Sequence, residues 1–243
     1  MPPWQLVLAG VGSFSLALLA FAGLGLSEFI PSLLAGAVVT LQITAGGTLV
    51  AIVAALIAAA AKLYGGVVSR AVASAYIELF RGTSALVQLF WLFYVLPHFG
   101  VTLEPMTVGI VALGLNVGAY GAEVVRGAVQ AVPKGQWEAA TALNFSGSQA
   151  LFKIILPQAF VGMLPPWGNL LIELLKATAL VSLITLSDLA FISQQLNQNT
   201  LRTVEIFTLV LFLYLGISLI ITAVVRALER RASRGLSRQQ MDG

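Results

Sequence analysis

The chain has no cysteine, a single histidine, His98, and charged residues at only 9% of its 243 positions. Without cysteine it can form no disulfide, no thiolate metal site and no cysteine nucleophile. One histidine with no nearby aspartate makes a metal site at residue 98 unexpected. A soluble domain carries about 25% charged residues. Because the chain is 58% hydrophobic, with a mean hydropathy of +0.94, its composition indicates an integral membrane protein.

Long apolar runs are what the sequence has in quantity. A membrane-crossing helix needs about 20 mostly apolar residues, and a lipid-exposed backbone must satisfy its own hydrogen bonds, which makes such spans helical. The sequence therefore predicts an all-α, polytopic membrane helical bundle. Pro165 and Pro166 remove backbone donors, so we expect the fourth span to bend at 164–167. The five predicted core transmembrane helices cover residues 33–61, 71–96, 106–129, 158–186 and 206–228.

Residues 6–26 form a further apolar stretch near the N-terminus. No Lys or Arg precedes it, so it lacks the basic start of a secretory signal. It is either an extra N-terminal hydrophobic helix, which we expect, or a segment lying at the membrane interface. The predicted organisation is an N-terminal hydrophobic segment over 1–28, a transmembrane domain over 29–231 and a basic tail over 232–243.

The basic residues flank the apolar spans instead of forming one stripe, which argues against nucleic-acid binding. They cluster in three regions, which an alternation of five spans places on one side of the membrane. These residues are Lys62, Arg70, Arg126, Lys134, Lys153, Arg226, Arg230, Arg231, Arg234 and Arg238. The positive-inside rule puts this side, and with it the C-terminus, in the cytoplasm.

Charged side chains inside the predicted spans form three pairs with i,i+3 spacing, so the members of each pair share one helical face. The pairs are Glu78 with Arg81, Glu123 with Arg126, and Glu173 with Lys176. We interpret the first two pairs as locks between helices. The mid-span third pair is a candidate for lining a translocation path, with helix locking as its alternative.

Uncharged polar residues one helical turn apart extend this candidate path. They are Asn116 with Tyr120 in the third span, and Thr178 with Ser182 in the fourth. Hydroxyls in membrane helices often bond one helix to another, so packing is the alternative role for the second pair.

A polar stretch over residues 131–157 interrupts the apolar pattern between the third and fourth spans. Pro133 suits the first turn of a helix, and the predicted helix ends near Asn144, which tolerates the left-handed C-cap position. Trp137, Ala140 and Thr141 follow i, i+3, i+4 spacing and form one predicted contact face. Because so short a helix is marginal alone, we expect it to dock into a partner's groove.

Within this stretch, Glu138-Ala139-Ala140 is followed by Asn144 and later by Ile154, Leu156 and Pro157. The pattern and spacing resemble the EAA loop of bacterial ABC importer permeases, in which glycine is usual at the position of Asn144. The resemblance implies a MetI-like, type I permease fold in the bacterial inner membrane. It also implies a set of residues that couple to an ATPase: Gly135, Trp137, Glu138, Ala139, Ala140, Asn144, Ile154, Leu156 and Pro157.

Three further blocks resemble the polar amino-acid branch of these permeases. They are RGTSALVQLF from Arg81, NVGAYGAEVVRGAVQAVPKGQWEAA from Asn116 and KATALVSLI from Lys176. The combination of GTSALVQLFWLF, EAATALN and ELLKATALVSLITLSDL is most similar to ectoine and hydroxyectoine permease subunits. The resemblance therefore implies a small zwitterionic solute as cargo, with ectoine or hydroxyectoine favoured and polar amino acids as the alternative.

The sequence contains no GxxxxGK[ST] motif to hold ATP phosphates, so we expect this chain to bind no cofactor and not to be an enzyme. The resemblance implies ATP and Mg on a separate ABC ATPase subunit. It also implies a second permease subunit, identical or related, and a periplasmic or lipid-anchored substrate-binding protein. An ion-coupled secondary transporter is a distant alternative, although the inverted repeats common in that class are not found. A membrane enzyme or scaffold is the third.

Overall fold

The computed structural model describes residues 27–241, with side chains as far as residue 233. The predicted N-terminal helix over 6–26 and the end of the basic tail lie outside the described residues. Within them, nine α-helices are present: α1 Ile30–Tyr64, α2 Val67–Gly82, α3 Ala85–Phe90, α4 Pro105–Ala131, α5 Lys134–Ala142, α6 Gly147–Ala150, α7 Leu156–Ala177, α8 Leu189–Thr200 and α9 Thr203–Met241. Short π-helical segments occupy Trp91–Val95 and Leu151–Ile155, and short 3-10 segments occupy Leu96–Phe99 and Thr178–Ile184.

Four helical stretches are long and apolar enough to cross a membrane, and a bent pair of helices makes a fifth when its halves are counted as one span. The four are Ile30–Tyr64, Pro105–Ala131, Gly147–Ile184 and Thr203–Ser233. The fifth is a bent pair, Val67–Gly82 with Ala85–Phe99, and the helix axis is bent by 107° between its two halves. The all-α membrane bundle is confirmed, and the part of the chain that the structure describes contains no β-strand.

The second span is broken, and the continuous helix predicted over 71–96 is wrong. Thr83 (φ −121°, ψ 155°) and Ser84 (φ −68°, ψ 135°) are extended, so helical hydrogen bonding stops there. The side-chain amide of Gln88 supplies replacement bonds, donating to the carbonyl oxygen of Phe80 at 2.9 Å and to Thr83 Oγ1 at 2.7 Å. Irregular backbone at membrane depth requires such partners inside the protein.

The prolines do not divide the fourth span into two helices at 164–167, contrary to our prediction. Helix α7 runs unbroken through Pro165 and Pro166. Proline has a φ of about −65°, which is itself helical, and Gly162, one turn before Pro166, has open space where a side chain would be. The irregular turns flank the helix instead, at Leu151–Ile155 and Thr178–Ile184.

Small residues let α1 and α4 pack closely in the centre of the bundle. A Cβ atom added at Gly114 would lie 2.7 Å from Val50 and 2.9 Å from the carbonyl oxygen of Gly47. One added at Gly118 would lie 3.0 Å from Ala54. Close backbone approach of this kind is a usual basis of helix association in membranes. The remaining spans pack around this central pair.

Buried apolar clusters mark the two ends of the bundle. The loop-end cluster, beside α5, contains Ala59, Val129, Val132, Ile155 and Met163. The distal apolar cluster, where α1 begins, contains Phe29, Leu33, Leu189 and Ile206. Because α1 is one continuous helix, these two clusters lie at opposite ends of the protein, which we call the loop end and the distal end.

Gly114→Ala is expected to destabilise the fold, because the new methyl group would meet Val50 and the backbone of Gly47. Overpacking of this kind costs about 1–3 kcal/mol. Gly127→Ala on the same helix meets nothing within 4 Å, and should be neutral or stabilising, since alanine favours a helix by about 1 kcal/mol over glycine. Thermal unfolding in detergent compares the two variants. Equal melting temperatures would contradict the close α1–α4 contact.

Candidate functional site

Helix α5 starts directly after Pro133 and ends at a left-handed residue. Asn144 has φ 59°, the conformation expected for it from the sequence. The amide of Phe145 donates to the carbonyl oxygen of Ala140 at 3.0 Å, and the amide of Asn144 donates to that of Thr141 at 2.9 Å. These two bonds form a Schellman motif, which satisfies carbonyl groups at a helix end. The short helix is therefore well terminated although most of its surface is exposed.

The inner face of α5 is covered by this chain itself. Ala140 is 0% exposed, and Trp137 packs against the loop-end cluster. The face predicted to meet a partner is therefore largely covered by this chain, because Ala140 is buried and Trp137 is half-buried against the loop-end cluster. A small side chain at residue 140 lets α5 sit close to its own bundle and is not itself available to a partner.

The outer face of α5 is open. Glu138, Ala139 and Thr141 are exposed, and Leu143 at its end is 71% exposed. Trp137, Glu138, Thr141 and Ala142 line a shallow depression on this side. Gly135, in the first turn, is exposed as well. An exposed carboxylate and an exposed leucine on the same short helix and its end are suited to contact a protein partner.

The chain that follows α5 turns back toward the membrane through a capped helix. The amide of Gln149 donates to Ser146 Oγ, and the amide of Ser146 donates to Gln149 Oε1 at 3.0 Å. This reciprocal arrangement is a capping box, and it satisfies two backbone donors at the start of α6. The sequence analysis did not identify it, although Ser146 and Gln149 have the required spacing.

The start of α7 anchors α5 from the other side. Ile154 and Leu156 are half-buried and pack on the loop-end cluster, whereas Pro157 is exposed. Gln158 Nε2 donates to Gln136 Oε1 at 3.3 Å, which links α7 to α5 directly. Helix α5 is thus joined to the fourth span by packing and by a side-chain hydrogen bond.

A charged network joins the end of α1 to α4 near the loop end. Glu123 accepts hydrogen bonds from Lys62 at 2.8 Å and from Arg126 at 2.6 Å. The sequence predicted the pair with Arg126 but not Lys62, which comes from a different helix. No ion pair within 4.0 Å joins Glu78 to Arg81 or Glu173 to Lys176 in the described region.

Asn116 and Tyr120 lie against the break in the second span. Asn116 Nδ2 donates to the carbonyl oxygen of Phe80 and to Gln88 Oε1, both at 3.0 Å. The guanidinium of Arg81 stands 5.2 Å from the centre of the Tyr120 ring, a cation–π distance. These two predicted path residues are brought together at the irregular backbone.

One face of α7 is polar and exposed. Asn169, Glu173 and Lys176 follow i, i+4, i+7 spacing, and all three are exposed in this chain. Charged side chains are costly against lipid, so this face is expected to meet water or another protein. The sequence analysis did not name Asn169 as a candidate. Its i,i+4 spacing to Glu173 would have identified it.

Thr178 and Ser182 lie beyond α7, in the 3-10 segment Thr178–Ile184. Their hydroxyls donate at 2.7 Å to backbone carbonyl oxygens of Leu175 and Ala179. Thr178 is fully buried and Ser182 is half-buried. The structure therefore separates them from the exposed face formed by Glu173 and Lys176.

Comparison with known proteins identifies the family. The sequence family of binding-protein-dependent transport system inner membrane components matches residues 47–234 of this chain. These residues include α5 and the spans on both sides of it. The chain belongs to this family. It is a permease subunit of an ABC transporter, a membrane component and not an enzyme, with its apolar spans in the inner membrane.

Two curated relatives and one solved structure are similar to this permease over most of its length. A probable amino-acid ABC transporter permease protein, y4tF of Sinorhizobium fredii, is 53% identical over 65% of this chain and 69% of its own length. The L-cystine transport system permease protein TcyB of Bacillus subtilis is 38% identical over 85% and 89%. A crystal structure of an amino acid ABC transporter with histidines is 34% identical, with a TM-score of 0.80 over 86% of this chain and 97% of that one.

Asn144→Val is expected to destabilise the end of α5 in this permease, because a β-branched residue tolerates the left-handed conformation poorly, at a cost of about 1–2 kcal/mol. Asn144→Gly is the matched control, since glycine adopts that conformation without penalty. Hydrogen exchange of the backbone amides of residues 143–145 provides the measurement. Equal protection in the two variants would contradict the Schellman end of the helix.

Proposed function

We propose that this permease imports a small, polar, zwitterionic amino acid, and that α5 transmits the movement of a separate ATPase subunit to the spans. The observation that carries the proposal is the two-sided geometry of α5. Its inner face is seated in the loop-end cluster through Ala140 and Trp137, while its outer face is open. A helix held on one side and free on the other is suited to transmit a force from a partner.

The relatives support an amino acid as the cargo. One relative is a probable amino-acid permease, one belongs to an L-cystine transport system, and the solved structure is of an amino acid ABC transporter with histidines. The ectoine preference drawn from the sequence finds no support among them. Polar amino acids, the alternative in the sequence analysis, therefore become the main proposal, and the zwitterionic character of the cargo is common to both.

The surface offered to the ATPase differs from the one expected from helical spacing. We assign the contact to Glu138, Thr141 and Leu143 on the outer face, and we assign Trp137 and Ala140 to seating the helix. Asn144 and Ile154 then hold the loop in shape. ATP and Mg bind on the ATPase subunit in this proposal, and this chain binds no cofactor.

The exposed face of α7 is the best-supported part of the translocation path. A zwitterion carries both charges, and Glu173 and Lys176 stand one turn apart with neither engaged in an ion pair among the described residues. Glu173 suits the ammonium group of the cargo, Lys176 suits its carboxylate, and Asn169 extends the same face. Asn116 and Tyr120 line the break in the second span and complete the proposed path, whereas Thr178 is assigned to packing.

The arrangement in the membrane follows from the charges and the family. We place the loop end and the C-terminus in the cytoplasm, so the distal end faces outward. The proposed partners are an ABC ATPase beneath α5, a second permease subunit beside this one, and a substrate-binding protein that delivers cargo to the distal end. A second permease subunit also provides a protein or water-filled surface against which the charged face of α7 can lie.

Glu138→Arg is expected to weaken ATPase association at least about tenfold, as the loss of a charged hydrogen bond worth about 1.5–3 kcal/mol would. Membrane insertion should be unaffected, because the side chain is exposed on a loop. Co-purification of the ATPase subunit and ATP-driven uptake are the measurements. Glu104→Arg, the same charge reversal at the distal start of α4, is the control and should retain the ATPase. Normal association of the Glu138 variant would exclude the proposed contact.

Replacing Glu173 and Lys176 together by Gln is expected to reduce uptake of a radiolabelled polar amino acid by about tenfold or more, because charge-assisted contacts are worth about 1.5–3 kcal/mol each. ATPase association should persist, since the change lies far from α5. Glu78→Gln removes a carboxylate from a different helix and should leave uptake unchanged. Excess unlabelled ectoine should fail to compete. Unchanged uptake in the double variant would disprove the path, and competition by ectoine would disprove the amino-acid cargo.

A further inference from the structure

A buried carboxylate at the distal end has no part in the function proposed above. Asp188 stands at the start of α8 and is 0% exposed. Its Oδ1 accepts a hydrogen bond from the amide of Phe191 at 2.9 Å, an ordinary helix N-cap. Its Oδ2 is buried and has no hydrogen-bond partner among the described residues. An unpaired buried oxygen of this kind is rare in proteins and requires an explanation.

A second buried oxygen without a hydrogen-bond partner lies near Asp188. The hydroxyl of Tyr214 on α9 is buried, again without a hydrogen-bond partner in the described part of the chain. It lies close to the hydroxyls of Thr40 and Thr178 and within electrostatic range of the carboxylate of Asp188. Thr40 Oγ1 also accepts the amide of Leu189 at 3.2 Å. Three spans and the start of α8 thus meet in one group of oxygens, which we call the distal polar cluster: Thr40, Thr178, Asp188 and Tyr214.

The packing around this cluster is tight. A Cβ atom added at Gly36 of α1 would lie 2.9 Å from the carbonyl oxygen of Asp188 and 3.0 Å from the Cα of Leu189. The backbone of α1 therefore touches the start of α8, and a side chain at residue 36 would separate them. Such a contact leaves the carboxylate without access to bulk water.

Among the described residues, no positively charged side chain forms an ion pair with Asp188 within 4.0 Å. The groups that act on it are burial and backbone amides, and the ring near it on α9 is neutral. The positive charge of Arg202 at this end pairs with Glu28 at 3.6 Å and with Glu205 at 3.4 Å. Burial raises the pKa of Asp188, because a low-dielectric site disfavours the charged form.

We propose that the distal polar cluster is a proton-binding site. In the packed state Asp188 is neutral, and its Oδ2–H group donates a hydrogen bond to the Tyr214 hydroxyl, either directly or through one water molecule. One proton then satisfies both unpaired oxygens. When the proton leaves, the buried charge keeps only backbone amide partners on its Oδ1 side and no positive charge, and the start of α8 separates from α1 and α9 to hydrate it.

The direction of the pH effect follows from linkage. A carboxyl group whose pKa is raised in the packed state binds its proton more tightly there than in the opened state. The packed distal end is therefore most stable at acidic pH, and this stabilisation is lost as pH rises toward the raised pKa. In the orientation proposed above the site responds to pH outside the cell, whereas the proton site itself is independent of the cargo.

The absence of cysteine from the chain allows a direct test by thiol labelling. Ser193→Cys places a thiol on α8 at a position that is 1% exposed, and Gln195→Cys places one at an exposed position of the same helix. Each is labelled with a membrane-impermeant maleimide in the assembled transporter in nanodiscs. At each pH, the labelling rate at residue 193 is divided by the rate at residue 195. This ratio removes the pH dependence of thiol reactivity. We expect this ratio to be low at acidic pH and to rise as Asp188 ionises.

Asp188→Asn separates a proton site from its alternatives, because Asn is always neutral, keeps the Oδ1 cap and can donate to Tyr214. The ratio should then stay low at every pH. A ratio that follows pH as in the wild type would show that another group titrates. A high ratio at every pH in Asp188→Asn, or a lowering of the wild-type ratio by sodium, would indicate a cation site. Each of these results would overturn the proposal. Should Asp188→Asn fail to assemble, Tyr214→Phe should raise the ratio at acidic pH, and an unchanged ratio would also overturn it.

Discussion

The close contact between α1 and α4 is the constraint on which the other packing depends. Because Gly114 and Gly118 of α4 have no side chains, the backbone of α4 lies close to that of α1 at Gly47 and Ala51. That approach brings Lys62 at the end of α1 within hydrogen-bond distance of Glu123 on α4. It also leaves the loop-end cluster between the helix ends, and α5 is seated on this cluster.

The low dielectric of the bundle governs how polar groups are placed. Where the second span breaks, Gln88 and Asn116 satisfy the exposed carbonyl of Phe80, because an unpaired carbonyl in hydrocarbon would cost several kcal/mol. Two kinds of exception remain. The charged face of α7 is exposed, and we expect it to lie against water or a polar protein surface. The Asp188 carboxylate is buried, and we propose that it binds a proton.

The two faces of α5 have different surroundings, one packed on the bundle and one open, and this difference explains its amino-acid pattern. Ala140 must be small because it lies against the bundle, whereas Glu138 and Leu143 are free to carry charge and apolar surface outward. The seat of the helix and the surface it offers to a partner are therefore independent, so a change on the outer face need not disturb the fold.

The sequence by itself determined the class of the protein, the number of core spans, the polar loop and the left-handed end at Asn144, because these depend on composition, apolar length and local backbone preference. It predicted neither the break at Thr83 nor the unbroken path through Pro165. The break depends on Asn116 of another helix, which with Gln88 supplies replacement hydrogen bonds, whereas the helix continues at Pro165 and Pro166 because the φ of proline is itself helical and Gly162 leaves space one turn before. Only the tertiary structure decided which face of α5 is free, which charges meet and that Asp188 is buried. Those outcomes require residues distant in the chain, such as Lys62 with Glu123 or Asp188 with Tyr214, to be brought together by packing.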